Sequence, residues 1–284
     1  MIQDHRHARQ PGNPTRQRTV EPGGKSLKHR ILIANDDGIH APGLAVMERI
    51  ARTLSDDVWV VAPDFERSGA SRSISLAEPI RINRLTEKRY SLLRGTPTDC
   101  VVMALNEIMK AAPPTLVLSG VNRGSNLAED MTYSGTVAAA MEGAQHGIRA
   151  IAMSQVFELG GEVRWRTAEA HAPRVIESLL ALESPPGVFH NVNFPDVEPG
   201  EVRGIRSARQ GRWGRIKLNV DVRTDARQFP YSWLSFIHEA GAPEQGTDVE
   251  VAHGGWISVT PLHADITWHA GLEALERHLG SIAT

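Results

Sequence analysis

The chain has 284 residues, 41% of them hydrophobic, and a formal net charge of −2, enough for one α/β core with an appended segment. Its single cysteine, Cys100, rules out an internal disulfide framework and suits a reducing cytoplasm. No apolar stretch approaches the roughly 20 residues of a spanning helix, and the amino-terminal segment lacks the apolar run of a secretory signal.

The first thirty residues carry a surplus of five positive charges, which leaves the remainder at −7. So acidic a body argues against a nucleic acid as a stable partner. Residues 1–28, poor in apolar side chains and punctuated by Pro11, Gly12, Pro14, Pro22, Gly23 and Gly24, read as a disordered basic tail. The folded unit is expected over 29–284.

Ile31 to Ala34 is a short apolar run that stops on Asn35, Asp36, Asp37 and Gly38. It reads as a buried parallel strand whose carboxyl end carries two adjacent carboxylates. Such a pair either holds a proton or has a cation beside it, unless one Asp simply caps the next helix. The turn at His40 to Gly43 leads into a helix with Leu44, Met47, Ile50, Ala51 and Leu54 on one face, and Val58 to Ala62 is a second strand. This is the repeating unit of a doubly wound sheet. The loop Asp64 to Ser73, dense in hydroxyls and containing Arg67, Ser68 and Arg72, suits an anion or a plain solvated turn.

Ile80 to Leu85 and Tyr90 to Leu93 read as a hairpin beside the main sheet. A helix follows from Pro97 to about Lys110, and Pro113-Pro114 breaks it. Leu116 to Leu118 is a third core strand, ending in Ser119-Gly120-Val121-Asn122-Arg123-Gly124-Ser125-Asn126. Ser134, Gly135 and Thr136 then open a small-residue helix to Gln145, whose amino end is a candidate phosphate seat. Ile148 to Met153 is a further strand. Three successive strand ends thus deliver carboxylates, then Arg and Ser, then Asn, Arg and Ser to one sheet edge, where open α/β sheets bind ligands. An all-oxygen set of Asp, Ser and Asn suits a hard cation, Mg²⁺ or Mn²⁺.

Asn35-Asp36-Asp37-Gly38 with Ala41-Pro42-Gly43, Ala62-Pro63-Asp64 with Glu66-Arg67-Ser68-Gly69, Gly95 to Cys100, Ser119 to Asn126, and Tyr133 to Val137 together resemble the SurE (survival protein) family of 5′/3′-nucleotidases. The resemblance runs over about 29–268 and, more loosely, includes Asn191-Val192-Asn193-Phe194-Pro195, Gly246-Thr247-Asp248 and Ser258 to Leu262. It implies a Rossmann-like three-layer α/β sandwich with a mostly parallel sheet. The core would span about 29–200, and hairpins with a carboxyl-terminal segment over about 201–284 would join homodimers or homotetramers; Trp213, Tyr231 and Trp233 would be interface or core residues.

It also implies a metal-dependent phosphomonoesterase acting on nucleoside 5′- and 3′-monophosphates through a metal-activated water. One cation would be held by Asp36, Asp37, Ser68 and Asn122, with Asn35, Asn126, Ser134, Gly135 and Thr136 contacting phosphate. Asp36, Asp37 and Asn35 would carry the chemistry, and Arg67, Arg72 and Arg123 are candidates for drawing in the anion. The motif loops hold no histidine but His40, which argues against a phosphohistidine route, with His263 near the carboxyl end the one other candidate; Asp36 as an aspartyl-phosphate nucleophile is an alternative only if it is not a metal ligand. The runner-up is a non-catalytic phospho-receiver or nucleotide-binding regulator, which would need a phosphorylatable Asp after the third strand and a Lys at a later strand end. Residues 155–166 match no family element and leave the mouth of the site unassigned.

Overall fold

The computed structural model describes residues 29–158, 160–213, 216–238 and 242–282. The basic tail expected over 1–28 lies outside them.

The first unit is as expected: β1 (Arg30–Ala34), α1 (Pro42–Leu54) and β2 (Asp57–Pro63). Pro42 opens α1 where no intrahelical N–H partner is needed, and Leu44, Met47, Ile50 and Leu54 fall on its buried face. The hairpin β3 (Arg81–Thr86) and β4 (Arg89–Leu93) is part of the main sheet, not an addition beside it, because β4 pairs in parallel with β2 through Val60 to Pro63. β3 is exposed along its whole length and forms the sheet's edge.

Next come α2 (Pro97–Met103) and a π-helical turn (Ala104–Ile108), then β5 (Leu116–Arg123), α3 (Gly135–Gln145), β6 (Arg149–Gln155), α4 (Trp165–Leu180) and β7 (Val188–Phe194). The helix expected to run to Lys110 is thus α-helical only as far as Met103. The carboxyl-terminal part adds β8 (Ile205–Ser207), an antiparallel ribbon of β9 (Ile216–Thr224) and β10 (Pro230–His238), then α5 (Asp248–His253), β11 (Ile257–His263) and α6 (Leu272–Gly280).

The main sheet runs β3-β4-β2-β1-β5-β6-β7-β11-β8. β4, β2, β1, β5, β6 and β7 are mutually parallel, while β3 and β11 run against their neighbours β4 and β7. Alternation along β1 divides the core. Ile31 and Ile33 pack with Leu44, Met47 and Ile50 of α1 and Val175 and Ile176 of α4, whereas Leu32 and Ala34 pack with Cys100 and Val101 of α2 and Val137 and Ala140 of α3. Two helices therefore cover each face of the sheet, giving three layers. Fully burying each large aliphatic chain here is worth about 1.5–3 kcal/mol.

Candidate functional site

The site lies where β1, β2 and β5 end side by side, and backbone bonds stitch their loops together. The Arg67 N–H donates to the Asp36 carbonyl at 2.7 Å, and the Arg123 N–H donates to Asp37 Oδ2 at 3.1 Å. Ser71 joins the β2 loop to the segment before α3, donating its N–H to the Tyr133 carbonyl and its hydroxyl to that of Thr132. Asp99, third residue of α2, accepts from the Ser75 N–H and hydroxyl and from the Thr96 N–H, so one side chain caps α2 and anchors the far end of the β2 loop.

Asp36 is buried against the amino end of α3. Burial pushes its carboxyl up from the ordinary range, and the Thr136 hydroxyl and the backbone N–H groups of Thr136 and Gly135 oppose that rise. Gly135 is required for this approach, since a Cβ there would stand 2.7 Å from Pro97 Cγ and 2.8 Å from Asp36 Cβ. The α3 terminus expected to seat a phosphate thus already faces Asp36, and the Ser134 hydroxyl accepts from the Val137 N–H at 3.1 Å.

Asp37, half-buried, points into a cleft of about 200 Å³ also lined by Glu66, Ser68, Arg123 and Trp165. Burial raises its carboxyl to about 7, with Asp36 and then Glu66 adding to the rise against the Arg123 N–H. Two adjoining carboxylates that resist ionisation together leave room for a cation's charge. Ser68 donates to Glu66 at 2.9 Å. Asn122 follows a register shift in the β5–β6 pairing and gives its amide N–H to the Gly124 carbonyl, leaving the amide oxygen as a possible ligand. Asn35 likewise spends an N–H on the Gly38 carbonyl at 3.0 Å, and its buried Oδ1 has no hydrogen-bond partner. The Asn122 amide oxygen, the carboxylate pair and the Ser68 hydroxyl form an oxygen donor set that fits a hard divalent cation.

Other expected residues have different duties. The Asn126 amide donates to Ser154 at 2.7 Å, while its backbone is held by the side chains of Asn191 and Asn193. Arg72 pairs with Glu142 at 3.0 Å and is not free to draw in an anion. Arg123 stacks over Phe157 at 4.9 Å and Arg67 over Phe65 at 4.1 Å, both beside the strand ends. His263 is paired with Val188 at the start of β7, on the sheet edge opposite the carboxylates. That position removes it from the reaction, and His40 is an exposed residue of the β1–α1 turn.

Glu66 and Trp165 line the cleft without having been singled out as site residues. Glu66 lies inside a motif of the resemblance that gives it no role of its own, and no sequence pattern marks Trp165. The receiver reading gains no support, since β6 closes on Ser154 and Gln155 where a lysine would be needed.

Carboxylates and amide and hydroxyl oxygens gathered at the carboxyl edge of a doubly wound sheet, next to a helix amino terminus, suit the class of phosphate-handling α/β proteins that bind a cation there. The comparisons agree and are more specific. The family model described as "Survival protein SurE" matches residues 31–216, and the chain belongs to the SurE family. A protein of Parvibaculum lavamentivorans named 5′-nucleotidase SurE is 52% identical over 263 residues, covering 92% of this chain and 94% of that one. One of the same name from Brucella suis is 51% identical over 254 residues, 88% of this chain and 98% of the relative. The crystal structure of the SurE protein of Aquifex aeolicus aligns with a TM-score of 0.75 at 34% identity, covering 87% of this chain and 98% of that chain. Dependence on a metal is a property of the family. Among the described residues no helix is long and apolar enough to cross a membrane.

Proposed function

We propose that this chain is a phosphomonoesterase of the 5′-nucleotidase kind, hydrolysing nucleoside 5′- and 3′-monophosphates to nucleoside and phosphate. The observation that carries the reading is the adjoining Asp36 and Asp37 carboxylates, both raised by burial, beside a cleft that also presents Ser68 and Arg123. Names of relatives about half identical over most of the chain support the same activity.

In this reading Asp36, Asp37, Ser68 and Asn122 hold one divalent cation, Mg²⁺ or Mn²⁺. When bound, it supplies polarisation of a phosphoryl oxygen and a lowered pKa for a water. The chain's own groups do the rest. Arg123, at the rim, attracts the dianionic phosphate into an acidic protein. Asn35 retains one amide N–H after bonding Gly38 and offers it where charge builds at phosphorus, while the Ser134 hydroxyl caps α3, Thr136 and the Gly135 N–H act through Asp36, and Asn126 braces the loop between β5 and α3. Thr136 and the α3 terminus fix Asp36, which is therefore a positioned ligand and not a free nucleophile.

The same reading puts the protein in the cytoplasm, as a homodimer or homotetramer built through residues of the 201–284 part, with 29–200 as the catalytic core. The ribbon β9–β10 exposes Val222, Trp233 and Leu234, an apolar surface that suits such contacts. The test is phosphate release from a panel of nucleoside 5′- and 3′-monophosphates after chelator treatment, with Mg²⁺ or Mn²⁺ added back singly. Release that depends on the added cation is expected. Folded protein that releases no phosphate with either cation would refute the reading.

A further inference from the structure

The cleft that holds Asp37, Ser68 and Arg123 measures about 200 Å³. Sites that enclose a drug-sized ligand run from roughly 300 to 1,000 Å³. A phosphate and a cation fit the smaller space; a whole nucleotide does not. The nucleoside must therefore lie outside it, and the structure shows one adjoining space that shares a wall with it.

That wall is Trp165. It opens α4, packs one part of its ring against the core, and lines both the carboxylate cleft and a second cleft of about 510 Å³. Its position is fixed from below by Gly43, where a Cβ would come within 2.9 Å of the indole Cη2. The second cleft is bounded by Glu158, Glu162, Asp196 and Glu198 against Arg164 and Arg166. Arg164 is already paired with Asp196 and Glu198. An excess of carboxylates repels a further phosphate but accepts the hydroxyl and amino hydrogens of a neutral sugar and base.

We propose that Trp165 is the specificity-determining residue for the leaving group: the phosphate occupies the carboxylate cleft while the nucleoside crosses the indole into the neighbouring acidic cleft. This rests on the nucleotidase reading and deepens it by assigning the nucleoside subsite to Glu158, residues 161–166, Asp196 and Glu198. Arg123, stacked over Phe157, lines the carboxylate cleft and is the cation that would meet the phosphate there. A stacked base contributes binding that a small alkyl phosphate cannot obtain.

The test compares AMP with glycerol 2-phosphate, at saturating Mn²⁺, for the full-length protein and its Trp165→Leu and Trp165→Phe variants. Leucine keeps apolar packing at the start of α4 and removes the stacking face. The expected result for Trp165→Leu is a rise of roughly tenfold in KM for AMP, from the loss of one stacked base. That rise should exceed any change in its KM for glycerol 2-phosphate by at least about fivefold; phenylalanine should restore most of the AMP affinity. An unchanged KM for AMP, or equal rises for both substrates, would overturn the subsite and leave the nucleotidase reading standing. Wild-type protein that cleaves glycerol 2-phosphate but no nucleoside monophosphate would overturn both. A variant that loses folding, seen in its far-UV spectrum, is replaced by Glu162→Lys on the rim of the second cleft, for which an unchanged KM for AMP again overturns the subsite.

Discussion

The backbone N–H of Arg123 at the end of β5 donates to the Asp37 carboxylate beyond the end of β1, at 3.1 Å. One hydrogen bond so ties two neighbouring strand ends and aims one oxygen of the acidic pair. It does not offset burial and the Asp36 charge, which raise the Asp37 carboxyl to about 7. A cation entering the metal-free site below that pH displaces a proton. The Mn²⁺ concentration for half-maximal activity should therefore rise about tenfold per pH unit as pH falls below about 7, and level off above it. Activation curves between pH 5.5 and 8.5 measure this, and a flat dependence would contradict the assignment of Asp37.

Gly135 sits where the first turn of α3 meets Asp36 and Pro97. Gly135→Ala should force the helix end away from the carboxylate, at about 1–3 kcal/mol of overpacking, and lower kcat by at least about tenfold as the Thr136 contact loosens. Denaturant unfolding and initial rates on one preparation separate the two effects.

Asp248 is fully buried at the start of α5 and accepts from the N–H groups of Ala128, Gly211 and Val249 at 2.9, 2.7 and 2.9 Å. Ala128 lies between Asn126 and the Ser134 cap, so this carboxylate ties the carboxyl-terminal part to the loop leading into α3. Asp248→Ala leaves three buried donors without a partner. A loss of about 3 kcal/mol in unfolding free energy is expected, with a fall in turnover that added cation does not restore.

Asp57 illustrates the opposite shift, far from the cleft. Burial alone would raise its carboxyl, but hydrogen bonds from Lys88, Arg30 and the Trp59 indole outweigh it and bring it to about 2. A carboxylate lowered in the folded state contributes stability above its unfolded value, and that contribution is lost as pH falls towards 2. Asp57→Asn should therefore melt below wild type at pH 6, with the gap closing between about pH 4 and 2. A constant gap would show that the loss comes from packing alone.

The strand ends were legible because each follows one local rule, an apolar run closed by glycine and polar residues, and β1, β2 and β5 obey it. α4 had no such marker: Pro173 interrupts its sequence, and alanines, Ala168 and Ala172, make up part of its buried face. The place of β4 depended on its pairing with β2, a contact between distant segments that periodicity does not encode. In the site, the carboxylate pair, Ser68 and Asn122 stood out as residue types beside strands. The Arg123 contact belongs to the backbone and leaves no trace in side-chain chemistry. Trp165, more than a hundred residues from Asp37, reaches the cleft only because α1 and α4 cover the same face of the sheet.

The central claim is that the acidic pair after β1 is the catalytic cation centre, and Asp37→Asn tests it most directly. The amide keeps the shape and removes the charge, so the fold should persist, with a melting temperature at or above that of the wild type once the repulsion from Asp36 is relieved. Phosphate release from AMP at saturating Mn²⁺ is the measurement. A fall of at least about a hundredfold in kcat is the expected result; near wild-type turnover in the folded variant would contradict it.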